Sequence, residues 1–347
     1  MFDYPAYDAH EHVLHSSDPE TGLRAIVAVH HTGRGPALGG LRMYPYPDAD
    51  AALTDVLRLA RGMTYKNALA ELPFGGGKSV LIGDPGRDKT RALFHAMGRA
   101  VDALGGRYKV AEDSGIAVPD VDTMGEVTPH VAGTTADGSS DPAPVTAWGV
   151  FNGMRAALTY RHGSDSFAGR RVAVQGVGAV GRRLCGHLTE AGAELAVADT
   201  RADLAREVAA GVGAEVRAPD AILREPADIL APCAMGAVLN DATIPELRAG
   251  IVAGAANNQL EADRHAAMLA ERGVLYAPDY AVNAGGVINI SHGGPGYDAD
   301  AALAHAARIH DTLLEIFQRA QGEGITTAAA ADRVAETRFT PRGRAPR

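Results

Sequence analysis

Cysteine, tryptophan and long apolar runs are scarce in this sequence. Its 347 residues include two cysteines, one tryptophan and seven phenylalanines. Cys185 and Cys233 cannot build a disulfide framework, and neither has the CxxC spacing of a zinc site. A reducing, cytoplasmic setting is expected. No window of about 18 apolar residues occurs, so no membrane-spanning helix is expected. The N-terminal stretch MFDYPAYDAHEHVLHSSDPE lacks a basic segment followed by an apolar one, so no signal peptide is expected. Basic residues form no block apart from the end, Arg338 to Arg347, and the net charge is −9, which argues against a nucleic-acid partner. Internal repeats are absent. With 46% hydrophobic and 22% charged residues the chain is not globally disordered, and its length suits about two domains.

Glycine is what the chain has in excess, 41 residues, much of it clustered at 33–40, 75–77, 176–181 and 285–286. Such clusters are expected where backbone approaches a ligand. Along the first part, RAIVAVH (24–30) reads as a buried strand and GRGPALGGLR (33–42) as a glycine-rich turn. Leu53, Val56, Leu57 and Ala60 give helical spacing over 50–62, with Asp50 as cap. A glycine run then leads into a strand at Ser79–Ile82, a helix over 89–104, a strand over 107–111 and a helix over 120–128. The small, polar, proline-broken stretch 133–144 reads as an interdomain connection.

Beyond a helix over 145–160, strands and helices alternate. Strands are expected at Arg171–Gln175, Glu194–Asp199, Ala227–Ala231, Ile251–Ala255 and Leu275–Ala277. Helices are expected at 181–191, 201–210, 243–248 and 262–272. This alternation predicts a parallel, doubly wound sheet. A last helix is expected over about 299–322, striped by Leu303, Ala306, Ile309, Leu313 and Phe317, packing back across a domain junction.

The segment VAVQGVGAVG (172–181) places GxGxxG between an apolar strand and a helix. Gly176 would make the tight turn, Gly178 would admit a pyrophosphate, and Gly181 would let helix and strand pack closely. Val177, Ala179 and Val180 complete the loop, and the helix N-terminus offers N–H groups to phosphate. Asp199 ends the next strand, 18 residues beyond Gly181, where a carboxylate accepts ribose hydroxyls and repels a 2′-phosphate. NAD is therefore expected over NADP, with Arg201 blurring the preference.

Lys78 follows three glycines, which would suit a floor under a small substrate. A lysine desolvated there would exchange protons near neutral pH, with Asp113 as partner. The bland alternative is a pair of surface lysines, Lys66 and Lys78, with Asp113 as a turn carboxylate. His10, His12 and His15 could suggest metal, but their acidic neighbours favour a surface strand, and no metal site is expected. Cys233, in APCAMG, has no base partner and reads as a small buried residue beside the cofactor with Ala234. Asn257, Asn258 and Asn283 stand at strand ends where such sites lie, or serve as turn residues.

Together the segments GPALGGLRMYPY (35–46), LARGMTYKNALAELPFGGGKSVLIGDP (59–85), GRYKVAEDSG (106–115), VAVQGVGAVG (172–181), ILAPCAMGAVLND (229–241), VAGAANNQL (252–260) and GVLYAPDYAVNAGGVINI (273–290) resemble the glutamate/leucine/phenylalanine/valine dehydrogenases, the leucine and valine enzymes most closely. The resemblance implies an α/β fold of two domains with a cleft between them. These are a substrate domain over 1–140, a Rossmann-type NAD domain over 141–290, and a C-terminal helix and tail over 291–347. It implies NAD-dependent, reversible oxidative deamination of an L-amino acid to a 2-oxo acid and ammonia. By position Lys66 would bind the α-carboxylate, Lys78 would activate water and polarise the carbonyl, and Asp113 would shuttle protons. Gly39 and Gly40 would line the carboxylate pocket. Thr146 would meet the nicotinamide carboxamide, and Asn258 and Asn283 would orient substrate and nicotinamide ribose.

Leu38, Ala111 and Val287 fall in the family's side-chain pocket; Ala111 and Val287 match the leucine-type pattern, and no basic residue stands there for a glutamate carboxylate. A branched aliphatic substrate is implied, with phenylalanine-type specificity as the alternative. Hinge material is implied near 133–146 and 287–300. Departures occur at Leu41, at Ser114–Pro119 and over 291–298, all expected on the substrate side. A homo-oligomer is implied, and the short C-terminal end favours a dimer over an octamer. Two other classes stay open on the residues. A 2-hydroxy acid dehydrogenase would want a histidine–carboxylate pair and an arginine. A non-catalytic NAD sensor would not need Lys66, Lys78 and Asp113 together.

Overall fold

A computed structural model describes residues 1–339. Most of the basic end expected from Arg338 onward therefore lies outside the described residues. The chain forms two compact units. One holds Met1–Ser140, Ile290–Asp298 and 335–339; the other holds Asp141–Asn289 and Ala299–Val334.

The first unit is built on a five-stranded sheet. Its strands are β1 (His12–Asp18), β2 (Leu23–His31), β3 (Ala37–Tyr44), β4 (Gly75–Ile82) and β5 (Tyr108–Glu112), in the order β1-β2-β4-β3-β5. The β1–β2 and β2–β4 pairs are antiparallel; β3 runs parallel to β4 and β5. Helix α1 (Ala49–Leu69) covers one face, burying Ala52, Val56, Leu57 and Ala60 against Ile26, Ala28 and Val80. Helices α2 (Arg91–Asp102) and α3 (Val118–Gly125) cover the other, setting Phe94, Met97, Val101 and Met124 on Val27, Leu41, Leu81 and Val110. Alternation along the strands sorts residues between these two cores.

Several expectations are corrected here. Residues 37–42 are strand, not turn, because β3 is laddered on both sides. Asp48 rather than Asp50 caps α1, its carboxylate accepting the Ala51 N–H at 2.7 Å. Leu41 is fully buried in the α2–α3 core, so it does not face the substrate side. The glycine run 75–77 is no open floor: all three residues are buried in β4. A Cβ at Gly76 would collide with the Thr64 backbone in α1, and one at Gly39 with the Gly77 carbonyl. Glycine here lets helix and strands meet backbone to backbone.

The second unit opens with α4 (Ala143–His162). Its strands are β6 (Arg171–Gln175), β7 (Glu194–Ala198), β8 (Glu215–Val216), β9 (Ile229–Pro232), β10 (Ile251–Val252) and β11 (Leu275–Tyr276). All six are parallel, in the order β11-β10-β9-β6-β7-β8, the doubly wound arrangement with its switch between β6 and β9. The helices between them are α5 (Ala179–Glu190), α6 (Ala202–Val212) and α7 (Arg264–Glu271). Strand β8 was not legible, since two exposed residues carry no alternation.

Further on come α8 (Asp279–Val282), α9 (Gly285–Ser291), α10 (Ala299–Ala307), α11 (Ile309–Glu323) and α12 (Thr327–Phe339). Gly285 and Gly286 begin helix α9; a Cβ at Gly285 would strike the Val145 carbonyl and Thr146 of α4. The expected single helix over 299–322 is two, parted at Arg308. No helix among the described residues is long and apolar enough to cross a membrane.

The glycine contacts make a stability prediction. Gly76→Ala should lower the unfolding free energy by at least ~1–3 kcal/mol, the cost of overpacking. Gly62→Ala, on the same α1 with nothing near its added methyl, should raise it by about 0.5–1 kcal/mol. Chemical denaturation of both variants measures the contrast, and equal effects would refute the packing account.

Candidate active site

In the first unit, parallel strand ends gather the ionisable groups. Lys78 lies on β4 and only 6% of it is exposed. Its Nζ donates to Asp113 Oδ2 at 3.1 Å, just past the end of β5. Arg42 of β3 donates from Nε to the same oxygen, also at 3.1 Å. The Arg42 Nη1 reaches Asp55 Oδ2 at 3.0 Å, and Tyr46 donates its hydroxyl to that oxygen at 2.5 Å. Burial pushes the Asp113 carboxyl up, but the charges of Lys78 and Arg42 outweigh it and hold the group below its ordinary value. Arg42, Asp55 and Tyr46 were not found from sequence. Arg42 follows GGL in a strand that had read as a turn, so nothing marked it as facing Asp113.

Register places the remaining first-unit candidates. Leu38 pairs with Lys109, and Gly40 with Ala111. Leu38 and Ala111 are buried. The Gly39 and Gly40 carbonyls accept the Tyr108 hydroxyl at 2.9 and 3.3 Å. Lys66 is half-buried in the last turn of α1. The next residue, Asn67, donates to the Leu38 and Gly75 carbonyls at 3.2 and 2.6 Å, tying α1 to β3 and β4. A cavity of about 270 Å³ in this unit is lined by Leu38, Phe74, Lys109, Val131 and Ile290, among others. Lys109, also missed from sequence, holds its Nζ 5.8 Å from the Phe74 ring centroid, within cation–π range. The 291–298 departure borders this cavity at Ser291 and Gly293–Pro295. The one at Ser114–Pro119 forms the turn into α3, where the Met43 N–H donates to the Ser114 carbonyl.

In the second unit the candidates collect at the carboxyl edge of the parallel sheet, around its switch point. Gly176 turns at φ +91°, and a Cβ there would press on Ala234. One at Gly181 would strike the Gly176 carbonyl, whereas one at Gly178 would meet nothing nearer than Arg201 Nη2 at 3.9 Å. Gly178 is the N-cap of the twelve-residue α5, whose loop continues through Ala179 and Val180. Asp199 accepts the Val177 N–H at 3.0 Å and the Arg201 N–H at 2.9 Å. Burial raises its pKa, but these hydrogen bonds and the Arg201 charge bring it below the usual range. Cys233 is half-buried rather than buried as expected, and desolvation pushes its thiol up to about 11.

Asn258 sits in the left-handed region at φ +51°, held by its N–H to Asp279 Oδ2 at 2.5 Å. Asn283 donates to the Ala255 carbonyl at 3.1 Å and to Asn257 Oδ1 at 2.8 Å. Its own Oδ1 is buried without a partner, as is Gln175 Oε1 at the end of β6. Thr146, in the first turn of α4, donates to the Pro142 carbonyl at 2.8 Å. Val287, on α9, is half-buried. An open glycine over a helix N-terminus, an ionised acid at the second strand's end and unspent acceptors fit a dinucleotide.

Two family models cover the chain. Residues 10–137 match the Glu/Leu/Phe/Val dehydrogenase dimerisation domain, and 138–208 with 205–320 match the glutamate/leucine/phenylalanine/valine dehydrogenase model. The chain belongs to this family. It is thereby placed among the amino acid dehydrogenases, which are oxidoreductases. Leucine dehydrogenase of Thermoactinomyces intermedius is 49% identical over 98% of this chain and 93% of its own. L-tryptophan dehydrogenase of Nostoc punctiforme is 48% identical over 98% and 96%. Valine dehydrogenase of Streptomyces albus is 47% identical over 95% and 92%. The crystal structure of the Nostoc L-tryptophan dehydrogenase superposes with a TM-score of 0.86 over 97% of each chain.

No group of three metal-ligating side chains occurs among the described residues. Of the early histidines, His12 and His15 lie on edge strand β1, but His10 is 4% exposed rather than on the surface. Its Nδ1 accepts the Asp8 N–H and its Nε2 bonds the Leu57 carbonyl. Burial lowers its pKa from 6.5 to about 4, against the raising effect of that carbonyl. The folded state thus favours neutral His10, and the stability this supplies is complete above pH 6.5 and fades as pH falls toward 4. The loss should reach about 3 kcal/mol. Denaturation midpoints of wild type and His10→Gln over pH 4–7 check this; parallel curves would refute it.

Proposed function

We propose that this protein catalyses the NAD-dependent, reversible oxidative deamination of a branched-chain L-amino acid to its 2-oxo acid and ammonia. The observation that carries the chemistry is the pairing of buried Lys78 with Asp113 at 3.1 Å. Lys66 binds the substrate α-carboxylate beside the Gly39–Gly40 backbone and fixes the reacting carbon, which is catalysis by orientation. Lys78 polarises the carbonyl and activates water, and Asp113 exchanges protons with the amino group and with Lys78 Nζ. When bound, NAD supplies the two-electron step by accepting hydride from the substrate. Gly176–Gly181 and the α5 N-terminus receive the pyrophosphate, Asp199 the adenosine ribose, and Thr146, Asn258 and Asn283 the nicotinamide end. Cys233 and Ala234 lie beside it.

Leu38 and Ala111 receive the substrate side chain, and these two buried apolar residues support an aliphatic one. The cavity volume and the L-tryptophan dehydrogenase relative favour a second reading, an aromatic side chain. The matched dimerisation domain supports a homo-oligomer, for which we infer a dimer.

NADH formation from a panel of L-amino acids at alkaline pH tests this. Leucine, valine and isoleucine should turn over within roughly 10–200-fold of one another, since a methylene is worth only ~1–3 kcal/mol. Lys78→Ala should abolish turnover, and Lys66→Ala should raise KM. Turnover of aromatic substrates alone would select the second reading; no turnover of any amino acid would reject both. For the cofactor site, Gly178→Ala should weaken NAD binding at least tenfold in calorimetry with an unchanged melting temperature. Gly176→Ala should lower the melting temperature outright. A Gly178→Ala protein that binds NAD as wild type would remove that residue from the site.

A further inference from the structure

Asp113 does not belong to Lys78 alone. Its Oδ2 takes Lys78 Nζ from β4 and Arg42 Nε from β3, each at 3.1 Å. Arg42 is itself pinned. Its Nη1 lies 3.0 Å from Asp55 Oδ2 on α1, and the Tyr46 hydroxyl closes on that same oxygen. One guanidinium thus joins the sheet to the helix that carries Lys66. A planar fork can bind two carboxylates at fixed angles, which a single ammonium cannot do.

We propose that Arg42 is a positioning residue for the deamination chemistry: held by Asp55 and Tyr46, it fixes the Asp113 carboxylate against Lys78 and keeps it ionised. This rests on the amino acid dehydrogenase reading above. Among the described residues Asp113 is also faced by the Ser114 N–H from its own segment and the buried Tyr108 hydroxyl of β5. Tyr108 is neutral, with burial pushing its pKa well above the ordinary value, and its hydroxyl is spent on the Gly39 carbonyl. Arg42 is therefore the second positive charge on this carboxylate. Without it, half-buried Asp113 keeps Lys78 as its remaining bonded cation among the described residues, and desolvation then favours the protonated acid. An acid that is already protonated cannot take the amino proton.

The test compares wild type, Arg42→Met and Arg42→Lys. In Arg42→Met the Asp113 carboxyl carbon, followed by NMR in the cofactor-free protein, should titrate about one pH unit higher. The acid limb of kcat/KM for the amino acid should move up by the same amount, while KM for NAD stays within twofold. Arg42→Lys should retain most of the Asp113 titration but lose kcat at least tenfold, because charge without the fork does not orient the carboxylate. An Asp113 titration unchanged in Arg42→Met would overturn the proposal. So would a rate loss equal at every pH. If Arg42→Met does not fold, Arg42→Gln serves with the same expected shifts. Wild-type protein inactive on every amino acid would instead overturn the functional reading itself, and the NMR titration separates that result from failure of the Arg42–Asp113 coupling.

Discussion

The first unit depends on contact between backbones. Helix α1 lies on β3 and β4 at glycines, so Thr64 touches Gly76 and Gly39 touches Gly77 with no side chain between. Asn67 then stitches the helix to two strand carbonyls from inside the contact. Because the elements meet this closely, Lys66 on the helix and Lys78 on the strand are carried by one rigid body rather than by loops. Rigid elements hold reacting groups more precisely than loops do. The same approach brings Asp55 of α1 within reach of Arg42, so the packing and the ion network share a helix.

That network shows how charge is made tolerable at low exposure. Lys78 and Asp113 would each pay heavily for leaving water alone. Two cations and two carboxylates, closed by a tyrosine hydroxyl, distribute the cost over a chain from Tyr46 to Lys78. The arrangement favours the ionised acid while leaving it in contact with Lys78.

The second unit meets its ligand by a different logic. Its parallel strands all end on one edge, and α5 starts there with N–H groups that have no intrahelical partners. Glycine is used in two opposite ways within six residues. Gly176 and Gly181 are crowded by their neighbours, whereas Gly178 faces space. Asp199 is drawn into the loop by the Val177 and Arg201 N–H groups, so the acid that would read the ribose also shapes the turn below it.

The strand–glycine–helix–acid order of 172–199 was legible because every part of it is local: one strand, one turn, one helix and the next strand's end. The α/β alternation after residue 170 and the family itself were legible for the same reason. Long runs of periodic or motif-bearing residues survive without knowledge of what they touch. What glycine meant in the first unit was not local. GPALGG and GGGK read as a turn and a floor for a ligand, and tertiary pairing made them strands packed on a helix. Leu41 passed from substrate side to core for that reason, and Arg42, its neighbour, emerged opposite Asp113. The sequence determined the family and which ionisable residues stand beside its glycine motifs. Only the tertiary structure decided which of them share an oxygen, because Arg42 and Asp113 lie 71 residues apart and meet solely through the parallel register of β3 and β5.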